Sequence, residues 1–319
     1  VCDPSPNPQE IIMRAAAITE YGNEPEVIDV EVPEVPADSV MVEVQAAAIN
    51  PIDWIIMSGA MKEMLPSAMP WIVGYDVAGT VTQVGGDVTQ LKVGDDVFGR
   101  ADGTQAATMA EFAAIKERDL AVQATSMTHQ QSAGIPLAGL TAWQALFEHG
   151  ALESGQRVLI HAGSGGVGTL AIQFAKQAGA WVATTASARN KELVMSLGAD
   201  QFIDYSTEDF ADVVGPCDLI VDMVGGETLT KSFEVVTTGG RVVSVTDRAP
   251  DGLAEQHGVT FEQFFMHPDG DALRTIARLL DAGTVRPVVD SVFPLEEVAA
   301  AFRHAKEGHA TGKVIIAVR

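Results

Sequence analysis

The sequence predicts an α/β protein in which a doubly wound parallel sheet is joined to a smaller antiparallel β unit. Residues 157–168, RVLIHAGSGGVG, pass from an apolar, partly β-branched run through a glycine-rich elbow into an apolar helical pattern at Leu170, Ala171, Phe174 and Ala175. From 157 to 265, strand-like and helical runs alternate, the order that builds a parallel sheet. Both ends of the chain read instead as short strands punctuated by turns.

Residues 13–119 are β in character. Runs at 40–44 and 77–81 alternate, and Gly85-Gly86, Gly94-Asp95 and Asp102-Gly103 mark turns, which predicts an antiparallel, partly open barrel. Residues 141–149 then read as a helix with Trp143, Leu146 and Phe147 on one side. Strands are expected at 157–162, 181–185, 201–204, 218–222 and 241–245, with a sixth at 259–265 and helices between them. A helix at 271–281 follows from Leu273, Ile276, Leu279 and Leu280. Strands at 288–292 and 314–318 flank a helix at 296–307, and this tail most economically rejoins the first β unit. The expected domains are 13–130 together with 284–319, and 131–283. Residues 1–12, Pro-rich and acidic ahead of Met13, read as an extension or a cloning remnant.

Bulk composition excludes several classes. Twenty basic against forty-three acidic residues, a net charge of −23 without basic clusters, cannot supply the positive stripe that nucleic acid requires. No apolar run reaches the roughly 18–20 residues of a membrane span, and the first residues lack the apolar core of a secretory signal. With only Cys2 and Cys217, a disulfide framework and a cysteine-rich zinc site are both excluded by count. A reducing cytoplasm fits this usage.

The elbow carries the chemistry. In a strand–turn–helix context, G-x-G-x-x-G predicts dinucleotide binding. Gly163 would permit the tight turn, Gly165 would let the backbone approach a pyrophosphate, and Gly168 would let helix and strand pack closely. The helix start, with Gly166 and Val167, offers free N–H groups and a positive dipole end. After the second strand an NAD site would carry a carboxylate, but none occurs before Glu192. Ser187, Arg189 and Lys191 stand there instead and suit a 2′-phosphate, which predicts NADP(H). Asn50, in 46–54, either bonds a carboxamide or ribose or is simple turn chemistry, and Asp53 can cap the helix after Pro51. The seven histidines show no ligand spacing, and His161 reads as a packed core residue.

Several segments together resemble one family. They are Asn50-Pro51-Ile52-Asp53-Trp54, GYDVAG at 74–79, PLAGLTAW at 136–143, AGSGGVG at 162–168, and Gly312-Lys313-Val314. From about Met13 to Arg319 the chain resembles the medium-chain dehydrogenase/reductase superfamily. Within it, the zinc-independent quinone oxidoreductase branch, with its zeta-crystallin-like NADPH:quinone reductases, is most similar. The resemblance implies a GroES-like β domain that takes back the C-terminal segment, a Rossmann domain, a cofactor cleft between them, and a homodimer. It also implies that Asn50 approaches the nicotinamide ribose and Thr141 the nicotinamide end. Gly165, Gly166 and Val167 would hold the pyrophosphate, and Ser187, Arg189 and Tyr205 the adenosine 2′-phosphate and adenine. Val224, Val245 and Thr246 would line the nicotinamide side, with Lys313 at the mouth of the cleft. Tyr205 has a plain alternative as a buried edge of the third strand.

Zinc-dependent relatives carry a cysteine near Asn50, a Gly-His-Glu where this chain has Gly74-Tyr75-Asp76, and a four-cysteine lobe. None is present here, so no metal is expected to polarise an alcohol. Where quinone reductases of this branch often have a tyrosine, this chain has Ile55. Where some members place a cofactor-binding arginine, the nearest match is His309. The expected reaction is hydride transfer to an already activated acceptor, a quinone or an α,β-unsaturated carbonyl, with Asn50 and Tyr75 as candidate catalytic residues. Trp54, Ile55, Met57 and Tyr75 are the candidate substrate pocket; Met57, like Met61, Met64 and Met69, is equally readable as core. The rivals are an enoyl-thioester reductase and an NADPH-binding sensor or structural protein without turnover.

Overall fold

Val158, Leu159 and Ile160 are completely buried, as a strand covered on both faces requires. Val158 and Ile160 belong to one core with Leu170 and Phe174, whereas Leu159 joins Ala183, Ile203 and Ile220 on the other face. The two-residue period of a strand sends neighbours to opposite sides. In this computed structural model, which describes residues 12–66, 68–102, 107–308 and 310–319, the strand Arg157–Ile160 sits inside a six-stranded parallel sheet. The order is Gln201–Asp204, Trp181–Ala186, Arg157–Ile160, Cys217–Asp222, Val236–Ser244, Thr260–Gln263. Strand order therefore reverses beside Arg157–Ile160, and ligands of such sheets bind at the carboxyl ends near that reversal. The readings for residues 1–11, with Cys2, and for His309 lie outside the described residues.

A seven-stranded sheet contains Ser39–Ala48, Asp76–Val84, Asp96–Arg100, Phe112–Lys116 and Leu120–Val122. The tail completes it: Lys313–Ala317 pairs antiparallel with Ser39–Ala48 and parallel with Val289–Pro294. Three further strands, Glu26–Glu31, Ile12–Ile18 and Trp71–Ile72, form a separate small sheet. The tail also reaches the glycine elbow. Gly312 N donates to Ser164 O at 2.9 Å, and Gly312 and Gly165 form an isolated parallel bridge.

The helices differ from expectation in two places. The segment expected as one helix at 141–149 begins earlier, as Pro136–Trp143, and continues as a π-helix, Gln144–His149. Pro136 at the first helical position, where its missing N–H is no loss, was the available signal. A short helix His129–Ala133 was not expected. Thr128 Oγ1 accepts from Gln131 N at 3.3 Å while Gln131 Oε1 accepts from Thr128 N at 3.0 Å, a capping box legible as T-x-x-Q.

Candidate active site

The elbow glycines divide their work. A Cβ on Gly163 would lie 1.9 Å from Thr184 Oγ1, and one on Gly168 would lie 2.4 Å from Ala162 O, so both are demanded by packing. Gly163 does not supply a left-handed turn: the positive φ, 53°, belongs to Ala162. Gly163 instead leaves the turn room to pass close to Thr184. At Gly165 a Cβ would meet only Ala162 O, at 3.4 Å. Apart from that contact the space beside Gly165 is open, and the first-turn N–H groups of the helix Gly166–Gln177 lack intrahelical partners. A pyrophosphate fits such a cradle. Val167 lies half-buried on the first turn.

Beside the elbow, at the carboxyl ends of the strands, lies a cavity of about 690 Å³ whose lining includes His161, Thr185, Tyr205, Phe210, Val224 and Lys231. Tyr205 is 65% exposed at its rim and Val224 52%, so Tyr205 is not a buried strand edge. Ser187 is half-buried, and Arg189 and Lys191 are exposed around the short turn Ala188–Asn190. Lys191 Nζ stands 5.7 Å from the centre of the Phe202 ring. His161 is fully buried, with Nδ1 3.2 Å from Thr185 Oγ1 and Nε2 3.0 Å from Ser232 Oγ. Burial lowers its pKa to about 4, which keeps it a neutral packed residue.

A second, buried polar cluster joins Asn50, Asp76 and Lys313, from three segments of the chain. Asn50 Nδ2 donates to Asp76 Oδ2 at 2.8 Å and to Ala48 O at 3.3 Å. Lys313 Nζ donates to Ile49 O at 3.0 Å, to Asp76 Oδ2 at 3.3 Å and to Asn50 Oδ1. Asp76 Oδ1 accepts from Leu137 N at 2.7 Å. Asp53 Oδ2 accepts from Asn50 N at 2.7 Å, capping the helix Pro51–Met57. Thr141 is buried, its hydroxyl donating to Leu137 O at 2.7 Å. Val245 is half-buried and Thr246 exposed at the end of the fifth strand.

Sequence reasoning missed Asp76 as a site residue, and it missed Asp222. The fully buried Asp222 carboxylate accepts from Val224 N, Gly225 N, Ser244 Oγ and Thr246 Oγ1, and so shapes the loop that carries Val224 and Thr246. An aspartate ending a buried strand just before Gly225-Gly226 was the available signal.

Three expectations change. Lys313 is not at the mouth of a cleft: it is 6% exposed, because Asp76 and Asn50 hold its ammonium inside. Tyr75 is 1% exposed in the β core, with Arg100 4.8 Å above its ring. Burial also raises its pKa to about 12; at that exposure the side chain is neither an accessible proton donor nor a pocket wall. Met57 also belongs to that core, whereas Trp54 is half-buried and Ile55 is exposed.

The cluster does not fit a catalytic zinc. Such a site needs thiolate, imidazole or carboxylate donors converging on an open position. Here Asn50, Asp76 and the Ile49 carbonyl converge on the Lys313 ammonium, so a cation already occupies the centre of the donor set. Among the described residues, the side chains close enough together to hold a metal are Glu148, His267 and Asp269, two of them exposed and none of them a member of this cluster.

Residues 36–143 match the alcohol dehydrogenase GroES-like domain, and residues 197–316 match a domain described as zinc-binding dehydrogenase. A 2-methylene-furan-3-one reductase of Solanum lycopersicum is 37% identical over 320 residues, spanning 95% of this chain and 79% of that protein. A chloroplastic NADPH-dependent alkenal/one oxidoreductase of Arabidopsis thaliana is 37% identical over 319 residues, with the same two coverages. The solved structure of the quinone oxidoreductase from Coxiella burnetii matches with a TM-score of 0.89 at 33% identity, covering 97% of this chain and 100% of that one.

Proposed function

The chain belongs to the medium-chain dehydrogenase/reductase family, and from that premise we propose that it is an NADPH-dependent, metal-independent reductase of quinones or α,β-unsaturated carbonyls. The observation that carries the reading is the open cradle at Gly165, bridged by Gly312 to a cluster centred on the Lys313 ammonium. Relatives named as alkenal/one and quinone oxidoreductases support the acceptor class.

When bound, NADPH supplies the hydride. The chain's own residues bind and orient. The first helical turn at Gly166 and Val167 faces the pyrophosphate with its N–H groups and positive dipole end. Ser187, Arg189 and Lys191 take the 2′-phosphate, Tyr205 flanks the adenosine side, and Val224 lines the nicotinamide side. Asn50, Thr141, Val245 and Thr246 surround the nicotinamide side, and Trp54 and Ile55 stand toward the acceptor. Without a Lewis acid, the acceptor must already be electrophilic. Hydride adds to the β-carbon of an enone, the carbon–carbon π pair moves toward oxygen, and the enolate is then protonated from water. A quinone gains hydride and proton in the same sense and becomes a hydroquinone. Positioning in a dry cleft supplies the acceleration.

A homodimer and a cytoplasmic location are part of this reading. The strand Thr260–Gln263 is an outer edge of the parallel sheet, with Phe265 just beyond it 72% exposed. No helix among the described residues is long and apolar enough to cross a membrane.

The test is NADPH oxidation with phenanthrenequinone and with a vinyl ketone, in the presence of a strong chelator. Turnover of either acceptor is expected, unchanged by chelation. Chelation that abolishes turnover would overturn metal independence. Tight NADPH binding with no turnover of any acceptor would favour a sensor.

A further inference from the structure

The exposed turn that carries Ser187, Arg189 and Lys191 has one member turned inward. Asn190 is 8% exposed, and its side chain bonds within its own turn and to two other segments. Its Nδ2 donates to Ser164 Oγ in the glycine elbow at 2.9 Å and to Ser187 Oγ at 3.3 Å. Its Oδ1 accepts from Thr311 Oγ1 in the C-terminal tail at 3.2 Å. The tail is itself anchored: Thr311 N donates to Asp290 Oδ1 at 2.8 Å, and the next residue, Gly312, donates to Ser164 O at 2.9 Å.

This use of an amide is specific. The site uses two donated bonds and one accepted bond, and among uncharged side chains only Asn or Gln offers two donor hydrogens on one nitrogen beside an acceptor oxygen. Asparagine's short stem fixes where those partners stand. Ser187 Oγ, which accepts from Asn190, retains its own proton for a phosphate oxygen. The distance between that hydroxyl and the pyrophosphate cradle is thus set by one side chain that need not touch the cofactor.

We infer that Asn190 is a positioning residue for cofactor selectivity: it holds the 2′-phosphate turn at a fixed distance from the glycine elbow and links both, through Thr311, to the tail of the β unit. The inference rests on the reading that NADPH is the cofactor. A residue that merely stabilised the elbow would affect both cofactors alike, because pyrophosphate and ribose are common to them. A residue that places the Ser187 turn affects mainly the cofactor with the extra phosphate.

Fluorescence titration of the whole protein with NADPH and with NADH separates these. Asn190→Ala is expected to weaken NADPH roughly tenfold or more and NADH by less than about threefold, the scale of one lost hydrogen bond to a charged group. Thr311→Val, which removes only the tail's hydroxyl, is expected to reproduce part of the NADPH-specific loss. Equal weakening of both cofactors by Asn190→Ala, or unchanged affinities, overturns the inference. Where Asn190→Ala fails to fold by its melting curve, Thr311→Val decides on its own: an NADPH-specific loss supports the inference and no change overturns it. Unmutated protein that binds NADH as tightly as NADPH overturns the cofactor reading itself, a result visible before any variant is made.

Discussion

Lys313 Nζ lies 3.3 Å from Asp76 Oδ2, with side-chain exposures of 7% and 0%, and this buried ion pair joins the tail of the chain to its first β unit. The second oxygen of the same carboxylate caps the backbone at Leu137, so one aspartate holds both the tail strand and the helix that leads into the parallel sheet. The Lys313 stem also packs on the elbow, where a Cβ on Gly166 would come within 2.7 Å of its Cδ. Strand pairing, helix start and glycine elbow meet at this pair.

Breaking that pair from one side is expected to be costly. Lys313→Met leaves Asp76 charged and unpaired in the interior, which predicts a loss of about 3–5 kcal/mol in urea unfolding. Combining it with Asp76→Asn removes the stranded charge and is expected to recover a large part of the loss. Equal and additive destabilisation in the double variant would show that the two side chains do not act as a pair.

The elbow glycines separate binding from folding. Gly165→Val is expected to keep the melting temperature of the parent protein and to abolish NADPH binding, since its side chain projects into the open cradle. Gly168→Ala, whose Cβ would press on the Ala162 carbonyl, is expected to lower stability by about 1–3 kcal/mol. Paired melting curves and cofactor titrations check both, and retained NADPH affinity in Gly165→Val would displace the pyrophosphate from this position.

Arg189→Ala tests the phosphate contact directly. Loss of one charge-assisted bond is expected to weaken NADPH by about 1.5–3 kcal/mol while NADH changes little. An equal loss for the two cofactors would remove Arg189 from a selective role.

Asp53 predicts a pH dependence. Burial pushes its carboxyl up to about 7, helped by the nearby Asp76 carboxylate and opposed by the Asn50 N–H, Lys313 and Arg100; its Oδ1 is buried without a partner. A carboxyl that holds its proton more tightly folded than unfolded contributes stability at low pH, and that contribution is lost as pH rises toward the folded value. Stability of the parent protein relative to an Asp53→Asn variant should therefore decline between about pH 4 and pH 7. Urea unfolding across that range checks the difference, and a constant offset would contradict it.

Much of this architecture was legible because it is local. The strand at Val158, Leu159 and Ile160, the elbow, and the helix through Leu170 and Phe174 are encoded by neighbours within one supersecondary unit. The turn carrying Ser187, Arg189 and Lys191 was legible for the same reason, as residues at a fixed offset from the elbow. The early start of the helix at Pro136 and the capping box at Thr128 were also written locally, although the 141–149 reading passed over them. Tyr75 and Met57 went the other way. Their residue types suit a pocket as well as a core, and only their neighbours in space place them in the β core.

What the sequence by itself determined, then, is the order of elements and a glycine elbow between strand and helix, because spacing and residue type decide backbone conformation over a few residues. Only the tertiary structure decided that Lys313 turns inward onto Asp76, 237 residues away, and that Asn190 joins the elbow to Thr311. Contacts between distant segments depend on how sheets close and pack, and a buried charge or amide is placed by whichever partner that closure brings within hydrogen-bonding distance.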